Sequence, residues 1–111
     1  MSHGAGLGEF EQLVLLAILN LGSDARAVEI RLRIESAAKR PVTRGALYAA
    51  LDRLGAKGFL AYELEDGPPD RGGIPRRLFA VTPRGLAAVR RALAAIRILS
   101  RGLDRVLGHA T

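Results

Sequence analysis

Residues 43–60, TRGALYAALDRLGAKGFL, can be satisfied by few structures. Thr43 can accept a hydrogen bond from the free N–H groups of a first helical turn. Leu47, Leu51 and Leu54 follow at i, i+4 and i+7 and so share one helical face. Arg44, Tyr48, Asp52 and Arg53 fall largely outside that stripe. Gly58 ends the helix, because glycine takes the left-handed conformation that many helix ends need. The stretch therefore predicts a helix with a buried leucine seam and a short, partly basic outer face. Such a helix suits a DNA major groove, and it equally suits an ordinary amphipathic packing role. The rest of the chain decides between the two.

At 111 residues the chain is one domain, and with 49% hydrophobic residues it can bury a core of its own. It has no cysteine, so disulfides and thiolate chemistry are excluded and a reducing, cytoplasmic compartment is expected. Its longest strongly apolar run, residues 13–19, is too short to span a membrane. No signal segment opens it, and residues 1–8 are expected to form a flexible tail.

The net charge of +6 is unevenly placed. Residues 83–111 hold six arginines against Asp104, a balance of +5, which leaves +1 for residues 1–82. Within 1–82, Lys39, Arg40, Arg44 and Arg53 cluster around the central helix, and Arg71, Arg76 and Arg77 form a second group. Phosphate contact depends on such clusters more than on the total.

Taken in order, residues 9–21 read as a first helix. Phe10, Leu13, Val14, Ala17, Ile18 and Leu21 make one apolar face, and Leu15, Leu16 and Leu19 cover most of the other side. A helix apolar nearly all round must be buried nearly all round. A second subunit could cover the extra face, or the helix could be the centre of a single-chain core. Ala27, Ile30, Ile34 and Ala37 or Ala38 mark a second helix, which Pro41 stops from continuing. Two helices joined by a short turn, the second with a basic first turn, suggest a helix-turn-helix.

After Gly58, Leu60, Tyr62 and Leu64 alternate with polar or small residues, the period of a half-buried strand. DGPPDRGGIP, residues 66–75, is a loop, and residues 77–81 are a second strand. The resulting hairpin has the layout of a wing with a basic tip, able to lie beside a duplex; a solvated hairpin without a partner is the alternative. Thr82-Pro83 is a strong helix start. The last helix is expected to run over 83–107, with Val89, Ile96 and Leu103 recurring every seven residues. The expected fold class is α+β: a winged helix-turn-helix of three helices and a two-stranded wing over 9–82, then a long dimerisation helix over 83–108.

Three stretches together resemble the PadR family of bacterial winged-helix transcription regulators, in the compact form with a single C-terminal helix. LGEFEQLVLLAILNLG is similar to the family's first helix, TRGALYAALDRLGAKGFL to its recognition helix, and GGIPRRLFAVTPRGLAAV to its wing and last-helix start. The resemblance covers about residues 7–107. The family's aromatic-glycine pair at the start of the second helix is replaced here by Arg26-Ala27, which alters packing or adds a phosphate contact. The wing's usual tyrosine is Phe79, and the chain has no tryptophan with which to sandwich a flat aromatic drug.

The resemblance implies a homodimer on a pseudo-palindromic operator, acting as a repressor, in some members relieved by a small effector. The expected DNA-binding residues are Lys39, Arg40, Thr43, Arg44, Gly45, Tyr48, Arg71, Arg76 and Arg77. Arg44 is placed to read guanine through its planar fork. Tyr48 either donates to a phosphate or packs under the wing. Arg53 has no acidic helical neighbour and so is free to reach a phosphate, but it sits late in the helix and ranks below them. The expected dimer interface is Leu15, Leu16 and Leu19 with Val89, Leu93, Ile96, Leu99 and Leu103. No metal, cofactor or membrane is expected. An enzyme is disfavoured, since His3 and His109 are the only histidines and no nucleophile or phosphate-loop motif occurs. The rival is a winged-helix protein–protein module that does not bind DNA.

Overall fold

The computed structural model describes residues 6–108. Five helices and one antiparallel hairpin follow in the order α1 (Glu9–Leu21), α2 (Ala27–Ala38), α3 (Arg44–Ala56), β1 (Leu60–Glu65), β2 (Arg76–Val81), α4 (Pro83–Ser100) and α5 (Asp104–Leu107). The leucine seam of α3 is buried as its spacing predicts: Leu47, Leu51 and Leu54 all join the core. Thr43 Oγ1 accepts from the Ala46 amide at 3.0 Å, and Gly58 takes a positive φ of 80°.

α1 is the hub, packed against α2, α3, β2 and α4. This corrects the expectation that Leu15, on its second apolar face, meets another subunit. Leu15 is 0% exposed within the single chain, so it has no surface left for a partner. Leu16 is half-buried and Leu19 remains 44% exposed. The helix is apolar all round mainly because its own chain surrounds it. The expected tail is also shorter than 1–8. Gly6 O accepts from Lys57 Nζ at 2.8 Å, Leu7 packs on the core, and the Gly8 amide donates to Glu11 Oε1 at 2.8 Å. The rest of that tail, residues 1–5, lies outside the described residues, as do His3 and His109.

β1 and β2 pair from Leu60 opposite Val81 to Glu65 opposite Arg76. Phe79 sits at the root of the wing, where its amide donates to Ala25 O at 2.9 Å. The half-buried alternation expected of β1 fails beyond Leu60. Tyr62 and Leu64 are exposed, because the hairpin runs past the helices and no layer covers its outer end.

Thr82 caps α4 through the Gly85 amide at 3.1 Å, and its own hydroxyl donates to Gly58 O at 2.7 Å. A Cβ on Gly85 would lie 2.2 Å from Phe59 O, so glycine here lets α4 dock directly on the backbone that leads into β1. α4 stops at Ser100, not near 107: Arg101 is extended and Gly102 has φ 79°. Leu103 therefore lies beyond a break and does not continue the seven-residue seam. Val89 is 3% exposed and belongs to the chain's own core, so it too leaves the expected interface. Leu93, Ile96 and Leu99 remain exposed along α4.

Candidate nucleic-acid interface

The outer surface of α3 starts at its capped N-terminus. Thr43, Arg44, Gly45 and Ala46 are all exposed there, followed by Ala49, Asp52 and Arg53. The side chains between the arginines are small, so the helix backbone itself is approachable. A Cβ built on Gly45 would meet nothing within 4 Å. Nothing in the fold thus demands glycine at that position, and its missing side chain leaves room outside the chain.

Two clefts flank this helix. On one side Arg40, Pro41, Thr43, Ala46, Ala49 and Arg53 line a groove with Phe10 and Val42. On the other, Arg44 and Tyr48 face the start of α2 and the wing. The structure therefore brings Arg44, Tyr48, Arg76 and Arg77 to one side, and Arg40, Thr43 and Arg53 to the other. Lys39 is exposed at the end of α2, in the left-handed conformation with φ 57°. The side chain of Arg71 lies outside what is described.

Charge pairing changes several of the expected roles. Arg53 is not free: its Nε donates to Glu11 Oε2 at 3.2 Å. Lys57 Nζ reaches the same carboxylate at 2.9 and 3.0 Å. Burial pushes the Glu11 carboxyl up, but Lys57, the Gly8 amide and Arg53 outweigh it and hold it below the usual range. Local sequence could not reveal this, because Glu11 comes from α1. Arg40 lies 3.5 Å from Glu9 and over the Phe10 ring, in an exposed pair of little energetic weight.

The wing is not the basic tip that the arginines alone suggest. Residues 60–81 carry Glu63, Glu65, Asp66 and Asp70 against Arg71, Arg76 and Arg77, a net of −1. Arg76 lies 3.5 Å from Glu65, its partner across the hairpin. Glu65 also takes Arg26, whose Nε donates to Oε1 and whose Nη2 donates to Oε2 at 3.2 Å. Arg26 holds the Glu65 carboxyl below its ordinary value. The arginine that replaces the family's aromatic-glycine pair is thus engaged in packing the wing against α2. Arg77 has no acid partner among the described residues and lies over Tyr48, Tyr62 and Phe79, 5.5, 5.1 and 5.4 Å from their ring centres. The half-buried Tyr48 ring therefore packs against the wing, the second of its two expected roles.

Among the described residues no cluster of three His, Asp or Glu could hold a metal ion, and no helix is long and apolar enough to cross a membrane.

No family model matches the sequence, and no curated protein matches it. Solved structures do. A PadR family transcriptional regulator from Eggerthella lenta is 26% identical, covers 92% of this chain and 88% of its own, and has a TM-score of 0.65. A PadR-like transcriptional regulator from Bacillus cereus, 17% identical, covers 91% of this chain and 93% of its own, with a TM-score of 0.69. A PadR family transcription regulator from Clostridium difficile, 18% identical, covers 91% of this chain and 100% of its own, at 0.69. These last two bear on the fold alone. The resemblance read from the three sequence stretches is shown by this likeness: an α+β winged helix of the PadR type over most of the chain. These neighbours are transcription regulators and not enzymes.

Proposed function

For a chain so similar to the PadR-family regulators, we propose a sequence-specific DNA-binding transcription regulator that acts as a homodimeric repressor on a pseudo-palindromic operator. The observation that carries this reading is the unobstructed N-terminal turn of α3. Thr43 caps it, Arg44 and Gly45 are exposed, and a cleft opens on each side. Recognition helices read base edges mainly from that end. Arg44 supplies the base contact, while Lys39, Arg40 and Arg77 supply phosphate contacts. The exposed Leu93, Ile96 and Leu99 of α4, with Leu16 and Leu19 of α1, support a twofold partner. Two recognition helices held that way would enter grooves about 34–36 Å apart. The repressor role rests on the family resemblance alone.

The net negative wing favours a second reading, a winged-helix module that binds protein and not DNA. Footprinting on the DNA around the chain's own gene separates the two. The proposal expects a protected site of twofold symmetry, lost in Arg44→Ala. No protection at any concentration that saturates the dimer would leave the second reading standing.

A further inference from the structure

We propose that the cleft between the start of α2, the exposed side of α3 and the wing is an anion site that takes a single phosphate group. The site itself stands on its own geometry; only the assignment of that phosphate to DNA rests on the function proposed above.

The cleft has a volume of about 280 Å3, close to the lower end of the roughly 300–1,000 Å3 of small-molecule sites. Arg26, Arg44, Arg76 and Arg77 line it together with Tyr48, and Glu29 is the one acid among its lining residues. Arg44 and Arg77 have no carboxylate partner among the described residues. Arg77 is nevertheless held in place, because its guanidinium lies over three aromatic rings. Contact with ring faces fixes a guanidinium without consuming its N–H groups, which point out from its edge. Arg76 also lines the cleft, with one Nη 3.5 Å from Glu65 Oε1. A phosphate carries several acceptor oxygens in a tetrahedral array and matches converging guanidinium forks.

Glu65 beside the cleft acts as an internal anion. One of its oxygens is shared between Arg26 and Arg76, so it competes with any ligand for the same donors. Neutralising Glu65 should therefore tighten phosphate binding, an effect opposite to that of removing any arginine of the cleft.

The chain has two tyrosines and no tryptophan, and both tyrosine rings lie against Arg77. Tyrosine emission therefore reports on this one neighbourhood. Inorganic phosphate is titrated into the full chain, with chloride adjusted to hold ionic strength constant. A saturable change in emission is expected. In Arg44→Gln the apparent affinity should fall about ten-fold, the loss of one charge-assisted contact. In Glu65→Gln it should rise, with circular dichroism confirming that both variants fold. No saturable change, or an affinity unaltered in Arg44→Gln, overturns the site, even if the chain binds DNA through other residues.

A second arm identifies the source. A DNA duplex that the chain protects in footprinting is added to the phosphate-saturated protein. Mutual displacement assigns the phosphate to the duplex backbone. Simultaneous binding leaves the anion site intact, gives it to a free phosphorylated small molecule, and removes Arg77 from the DNA interface.

Discussion

Glu11 is the one buried charged side chain among the described residues, and its three partners come from two helix ends. The Gly8 amide is in its own helix start, while Arg53 and Lys57 sit at the far end of α3. It therefore ties the C-terminal end of α3 to the hub. Its folded pKa is depressed, so its stabilisation is fully present above the unfolded carboxylate value of about 4.3. That stabilisation is lost as pH falls through the lower folded value. Glu11→Gln should cost about 1–3 kcal/mol at neutral pH, the scale of hydrogen bonds to charged groups. The cost should shrink in acid, and urea unfolding of both proteins at pH 7 and at successively lower pH checks it. An equal difference at every pH would contradict the pairing. Gly45 makes the opposite kind of test. Its Cβ position is open, and alanine favours a helix over glycine by roughly 0.5–1 kcal/mol. Gly45→Ala should raise the melting temperature yet weaken DNA binding; unchanged binding would remove the close backbone approach assigned to it. At this scale the sequence disclosed the capping threonines and the leucine seam, which depend on neighbours a turn away. It hid the partner of Arg53, which lies 42 residues back along the chain.

Elements were legible where one periodicity ruled. α1 and the extent of α3 follow from their apolar spacing, and Pro83 marks the start of α4. β1 misled because alternation reports only a tendency to be half-buried, and nothing among the described residues reaches out to cover Tyr62 and Leu64. α4 misled because apolar residues continue in step through Leu103 while Gly102 takes a left-handed φ that ends the helix. The wing misled because its arginines were visible as a group, but the pairing of Arg76 with Glu65 required knowing the strand register. The Thr82–Gly85 start of α4 has a sharp consequence. Gly85→Ala would push a methyl into Phe59 O and Val81 Cγ1, at 2.2 and 2.9 Å. Overpacking of that kind costs typically about 1–3 kcal/mol. Thermal unfolding should show a clear loss of stability, against the gain expected at Gly45. A neutral outcome would mean that α4 does not dock where it is placed here.

The whole molecule is more extended than its length requires. A chain of 111 residues should have a radius of gyration of about 13 Å if compact, and this one has 15.7 Å. The excess comes with exposed apolar side chains toward the C-terminus, Ile96 at 52% and Leu99 at 78%. The elongated shape and the bare apolar helix end support the dimer proposed above. Ile96→Glu with Leu99→Glu should yield a folded monomer, because neither side chain belongs to the core of a single chain. Sedimentation should show the unmodified protein as a dimer at micromolar concentration and the double variant at half that mass. The variant should also lose about 10²–10⁴ in operator affinity, since joined half-sites bind with the advantage of linkage. A monomeric unmodified protein would contradict the twofold arrangement. The central claim, that α3 and its flanking cations meet a nucleic acid backbone, is tested most directly by affinity for footprinted duplex DNA across a range of salt. Each phosphate neutralised contributes about −0.9 to the slope of log K against log salt, so Lys39, Arg40 and Arg77 from two subunits predict a slope of roughly −4 to −6. A slope near zero, or no binding at low salt, would contradict it.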